Sequence, residues 1–177
     1  ETGLVAPKTT LTCQEGSTFR QEGTSQVVLT ENSELVLKSG STFTVTDNAK
    51  LVVGNGCRLL VEAGASTSVL DGGQLVVESG AVATIHDTLK MGSAANILVR
   101  PGGRLVVDGG VLTSSSDVDL WEGIFVEGDR TQPQTSAQQG VVELRNGATI
   151  ENVRTAISTN SLDARSRSIK KKHYQKK

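Results

Sequence analysis

The sequence predicts an all-β chain wound as a parallel β-helix, a solenoid with three strands and about 22–24 residues per coil. Three observations carry this expectation. Short triplets of the form apolar–any–apolar recur along the chain, among them "LVVGNG" from Leu51, "LVVESG" from Leu75 and "LVVDGG" from Leu105. Taken in threes, each set of triplets follows its predecessor by 22 to 24 residues. Gly, Asn, Asp and Ser separate the triplets, with 19 Gly against 3 Pro, and no apolar pattern of helical period is sustained.

Each element follows from these patterns in order. The first full set begins at Val27, Leu35 and Phe43, and the second at Leu51, Leu59 and Thr67. The third begins at Leu75, Ala83 and Leu89, and the fourth at Ile97, Leu105 and Val111. Alternation along a strand puts the first and third residues of a triplet on one side. Val27/Leu29, Leu51/Val53, Leu75/Val77 and Ile97/Val99 then stack as one inner wall. Leu35/Leu37, Leu59/Val61, Ala83/Ile85 and Leu105/Val107 make a second, and Phe43/Val45, Thr67/Val69, Leu89/Met91 and Val111/Thr113 a third. Corners such as "GNG", "DGG" and "PGG" use glycine where the chain needs positive φ. A lone coil buries too little to offset its chain entropy, so coils must stack. An antiparallel sandwich also uses short, evenly spaced strands; the 24-residue recurrence favours the solenoid.

The same register places Cys13 and Cys57 about two coils apart, roughly 9–10 Å. That exceeds the ~7 Å Cα limit for a disulfide, so they read as core or corner thiols. Val28, Val52 and Val76, followed by Leu98, are middle residues and point outward as an apolar ladder. Such a ladder marks a surface for another segment, domain or subunit, unless β-branched residues stand there for strand propensity alone.

The rhythm changes after Val111. Trp121, the single Trp, opens a strand "WEGIFVEG", a polar loop covers 129–139, and strand patterns resume at "VVEL" and "ATI". The spacing of Trp121, Gly123, Ile124, Val126 and Gly128 resembles repeat regions of secreted and surface proteins of Bacteroidetes-type bacteria. So does "GVVELRNGATIENVRTAI" from Gly140 to Ile157. That resemblance implies a right-handed parallel β-helix, export of the type IX style, and a stalk or passenger role. The "GG-x-LVV-x-GG" style is also similar to autotransporter passengers, which implies an adhesive surface region. The opening Glu1-Thr2-Gly3 looks like a scar of a secretion vector, which suggests a mature or trimmed fragment. The expected organisation is a β-helix domain over 1–163 and a basic tail over 164–177.

The charge is distributed unevenly. Residues 165–177 hold seven bases and no acid, leaving 11 bases against 19 acids in the rest, a body of about −8. Such a body repels nucleic acid and anionic lipid, and only the tail attracts them. The tail reads as a solvated basic segment, with an anion-binding or surface-attaching arm as the functional alternative. No apolar run approaches the roughly 20 residues of a membrane-spanning helix.

Chemistry-bearing residues are sparse. His86 is expected outward near Asp87, a solvated pair in the plainer reading and a dyad in the sharper one. Asp117 and Asp119 share one side of an extended segment, which suits an acidic turn or weak calcium binding. Glycosidic chemistry wants two carboxylates about 5–10 Å apart, and the register sets Glu78 and Asp108 after different walls. "TFTVT" at Thr42–Thr46 gives one rung of a threonine ladder, which the following coils do not repeat. No catalytic residue, metal site or cofactor is assigned.

Ligand contact is expected at the break: Trp121, Asp129, Arg130, Gln132, Gln134, Gln138 and Gln139. A loop on a rigid scaffold is where function concentrates, although an insertion between coils is also tolerated without one. The expected role is a structural or adhesive region of a secreted or cell-surface protein. The alternative is a carbohydrate-binding or polysaccharide-degrading β-helix. The expected partners are a surface glycan, or another protein or domain along Val28, Val52 and Val76.

Overall fold

A computed structural model describes residues 1–129 and 131–159. The first coil is β1 (Thr2–Val5), β2 (Thr10–Cys13) and β3 (Thr18–Gln21); the second is β4 (Gln26–Leu29), β5 (Glu34–Leu37) and β6 (Thr42–Val45). Then come β7 (Lys50–Val53), β8 (Arg58–Val61) and β9 (Ser66–Val69), followed by β10 (Gln74–Val77), β11 (Val82–Ile85) and β12 (Thr88–Met91). The fifth coil is β13 (Asn96–Val99), β14 (Arg104–Asp108) and β15 (Val111–Ser114). The sixth is β16 (Trp121–Val126), β17 (Val141–Arg145) and β18 (Thr149–Ile150), and β19 (Val153–Ser158) opens the next.

Every third strand pairs in parallel, giving sheets β1-β4-β7-β10-β13-β16-β19, β17-β14-β11-β8-β5-β2 and β18-β15-β12-β9-β6-β3. We refer to them as the first, second and third faces. The chain is a parallel β-helix, and no antiparallel sandwich is present among the described residues. Val27, Leu51, Leu75 and Ile97 stand in register on the first face, and Leu35, Leu59, Ala83 and Leu105 on the second. Their side chains, with Phe43, Val45, Leu89 and Met91 from the third face, form one continuous core. Phe19 and Phe43 stack along it, ring centroids 4.9 Å apart. Thr2 and Gly3 belong to β1 and pair with Gln26 and Val27.

Most corners are four residues long, and their chemistry is shared. The N–H of the last corner residue donates to the carbonyl of the first: Ser41 to Lys38, Ala49 to Thr46 and Cys57 to Gly54, each at 3.0 Å. That last residue turns inward and is small and buried, as Ser33, Ser41, Ala49, Cys57, Ala65, Ala81 and Ala95 are. Cys57 therefore occupies a corner slot, its Sγ 3.6 Å from Ser33 Oγ, while Cys13 lies inward on β2 in register with Leu37. Both are free thiols, and burial raises the Cys13 thiol above its usual range.

One wall assignment needs correction. Val111 and Thr113 do not face the core; Leu112 and Ser114 do, in register with Leu89 and Met91. The corner after β11 is only His86-Asp87, whereas β14 runs on to Asp108 before Gly109-Gly110. The extra residue flips the alternation, and a fully buried leucine replaces a valine on the inner side.

Candidate functional site

The break that the sequence marks is a loop between β16 and β17, built on the corner between the first and second faces. Its foot is charged: Arg100 Nη1 donates to Glu127 Oε2 at 2.6 Å and its Nε lies 3.8 Å from Glu78. The loop then closes on itself. Gly128 and Gln139 form an antiparallel bridge, and Gly140 N–H donates to the Glu127 carbonyl at 2.8 Å. Gln139 Nε2 donates to the Asp129 carbonyl at 3.1 Å. A Cβ at Gly128 would meet the Gln139 side-chain amide, which would have to move aside. The Gln139 carbonyl in turn accepts the Gly102 N–H at 3.0 Å, which docks the loop on the corner of the coil beneath it.

The expected contact residues separate into three groups. Trp121 is fully buried, and its Nε1–H donates to the Glu151 carbonyl at 3.1 Å. It offers no exposed aromatic plate: as the inward first residue of β16 it fills the core. The bland feature that matched this outcome was its place in an apolar strand opposite Val153. Asp129, Gln138 and Gln139 hold the loop's shape. Asp129 Oδ1 accepts from Thr131 N–H at 2.8 Å and Thr131 Oγ1 at 2.6 Å, and these donors lower its carboxyl below the usual range. Gln132 and Gln134 are exposed at the tip and make the loop's accessible amide pair. Arg130 and the 164–177 tail lie outside the described residues.

Other candidates resolve differently from expectation. His86 sits beside Asp108 of the next coil, with Nδ1 3.2 Å from its carbonyl and 3.9 Å from its Oδ2, and not against Asp87. Asp87 instead completes the backbone ladder. Gly16 N–H reaches the Gly40 carbonyl and Gly40 N–H the Gly64 carbonyl; at the shortened corner the Asp87 carboxylate takes the Gly64 N–H in place of a carbonyl. Its other oxygen accepts the Thr88 N–H at 2.6 Å, and the two donors lower its pKa, Gly64 first. The signal was visible as a two-residue corner holding an acid, a pattern that the sequence reading did not use.

Hydroxyls recur beyond the single rung anticipated. Thr18, Thr42, Ser66 and Thr88 align on the outside of the third face, with Thr44 and Ser68 beside them and their oxygens 3.2 Å apart. The columns are interrupted by Val111, Arg20 and Lys90. A hollow of about 290 Å³ lined by Lys8, Asn32, Glu34 and Arg58 holds one carboxylate. Another, of about 240 Å³ beside the short corner, holds only Asp87, already bonded twice. Glu78 follows β10 on the first face and Asp108 ends β14 on the second, so the two carboxylates leave from different faces. Among the described residues no three His, Cys, Asp or Glu side chains converge on a point, and no helix is long and apolar enough to cross a membrane. No protein-family model, curated protein or solved structure matches the chain.

Proposed function

We propose that this chain is a structural or adhesive β-helix region of a secreted or cell-surface bacterial protein of the Bacteroidetes type, a rigid scaffold that holds out the loop at 129–139. The observation that supports this reading is the contrast between a continuous parallel stack of coils and one self-closed loop with the exposed Gln132 and Gln134. Amide side chains present paired donors and acceptors, a chemistry suited to sugar hydroxyls or to backbone groups of a protein. Each of the two hollows at Glu34 and Asp87 holds a single carboxylate, and Glu78 and Glu127 at the loop's foot are both engaged by Arg100, which favours presentation over glycosidic cleavage.

The test is a glycan array covering bacterial, plant and mucin-type sugars, paired with a turnover assay on polygalacturonate and alginate. Adhesion predicts retention without turnover, and loss of retention in the Gln132→Ala/Gln134→Ala variant at an unchanged thermal midpoint. Release of new chain ends that a single carboxylate substitution abolishes would replace this reading with a polysaccharide-degrading one.

A further inference from the structure

The corner between the first and second faces carries a backbone ladder with two rungs missing. Its third residue recurs as Lys8, Asn32, Gly56, Gly80 and Gly102, with φ from 53° to 80°. Where the ladder is intact, the N–H of that residue donates to the next coil: Lys8 to the Glu31 carbonyl at 3.0 Å, Gly80 to Gly102 at 2.9 Å and Gly102 to Gln139 at 3.0 Å. The Asn32 and Gly56 N–H groups make no such bond among the described residues. These two residues line the hollow of about 290 Å³ at the N-terminal end of the stack.

Charge is unbalanced there as well. Thr10, Glu34 and Arg58, the first residues of β2, β5 and β8, stand in register at the hollow, and Lys8 joins them from the corner. Arg20, Arg100, Arg104, Arg145 and Arg154 each lie against a carboxylate. Arg58 and Lys8 have no ion pair among the described residues, although Glu34 is the strand neighbour of Arg58. The lining thus sets two cations against one acid, a net charge of +1, in a body of about −8.

We infer that this hollow binds an acidic sugar unit, a hexuronate, at a place separate from the loop at 129–139. One carboxylate matches the net charge, and the planar guanidinium of Arg58 offers it two parallel donors. Glu34 opposes a second negative charge and, when ionised, only accepts hydrogen bonds, so it selects a ligand that brings hydroxyl groups beside its anion. The Thr10 hydroxyl and the Asn32 amide serve the remaining hydroxyls. A volume of about 290 Å³ stands at the small end of ligand sites, room for one sugar ring. With a single carboxylate in its lining, the hollow holds the sugar and does not cleave it.

Amide NMR of the full chain tests this, with methyl glucuronoside, methyl glucoside and inorganic phosphate as separate probes at equal ionic strength. The glucuronoside should shift the Asn32 and Gly56 amide signals saturably. Arg58→Gln should weaken that binding about ten-fold, with the thermal midpoint unchanged because Arg58 is exposed and unpaired. The Gln132→Ala/Gln134→Ala variant should titrate as the unsubstituted chain does, so the hollow and the loop can fail separately. Absent shifts at Asn32 and Gly56 in the unsubstituted chain would overturn the site without recourse to any variant. Equal shifts with the neutral glucoside, or undiminished binding in both Arg58→Gln and Lys8→Gln, would overturn it too. Phosphate held as tightly as the glucuronoside would make the hollow an unselective anion site and overturn the sugar assignment.

Discussion

The coils from β4 to β12 and the region from β15 to β17 solve the same problem with different tolerances. In the first region strands recur at 24 residues until one corner is shortened by two, and every corner is closed by hydrogen bonds within and between coils. In the second, the spacing from β14 to β17 grows to 37 residues, yet Leu105 still stacks on Val142 and Val107 on Leu144. The extra residues leave through one corner and return to it. A solenoid thus constrains the inner positions of each strand strictly and the length of a corner loosely, because only the former change the core.

The largest effect expected from probing this contrast lies inside the irregular region. Trp121→Ala should cost about 3–5 kcal/mol in urea denaturation, since it removes a fully buried indole and orphans the Glu151 carbonyl. A cost below about 1 kcal/mol would mean that the break is not packed as a coil. Next is the shortened corner. Asp87→Ala should destabilise by about 1–2 kcal/mol through loss of the acceptor for Gly64 and Thr88 N–H. Because those donors depress the Asp87 pKa in the folded chain, its contribution is complete above the unfolded value of about 3.9 and fades as pH falls through the lower folded value. Stability measured from pH 6 down to pH 2 should therefore drop less in Asp87→Ala than in the unsubstituted chain.

A smaller effect, of opposite sign, belongs to the regular stack. Thr67 stands between Phe43 and Leu89 on the inner side of the third face, and its hydroxyl has no hydrogen-bond partner among the described residues. An apolar cavity of about 10 Å³ adjoins it. Thr67→Val should stabilise by about 1 kcal/mol, and a loss of stability would reveal a partner for that hydroxyl. The smallest effect is at the loop tip, where Gln132→Ala and Gln134→Ala should each stay within about 0.5 kcal/mol in the same measurement.

Legibility followed the physics of each position. The first two walls could be read because a strand with one buried face imposes strict alternation, as at Leu51/Val53 and Leu59/Val61. The third wall failed at Val111 because alternation carries no information about how many residues a corner absorbs. Trp121 was misread for a related reason: an aromatic beside a loop suits a sugar-binding plate and a core plug equally, and only its register with Val153 decides. Asp87 shows a third limit, since a carboxylate standing in for a backbone carbonyl depends on Gly64, which is 23 residues away in the chain.

The sequence by itself determined the solenoid, its three walls in outline and the place where its rhythm breaks, because periodic burial is written locally in side-chain type. Only the tertiary structure decided which residues of the break face inward, which amides remain exposed, and that the outward column of the first face is buried from Val52 to Phe125. Those outcomes depend on what the neighbouring coil and the rest of the chain place against each residue, and no local pattern encodes that.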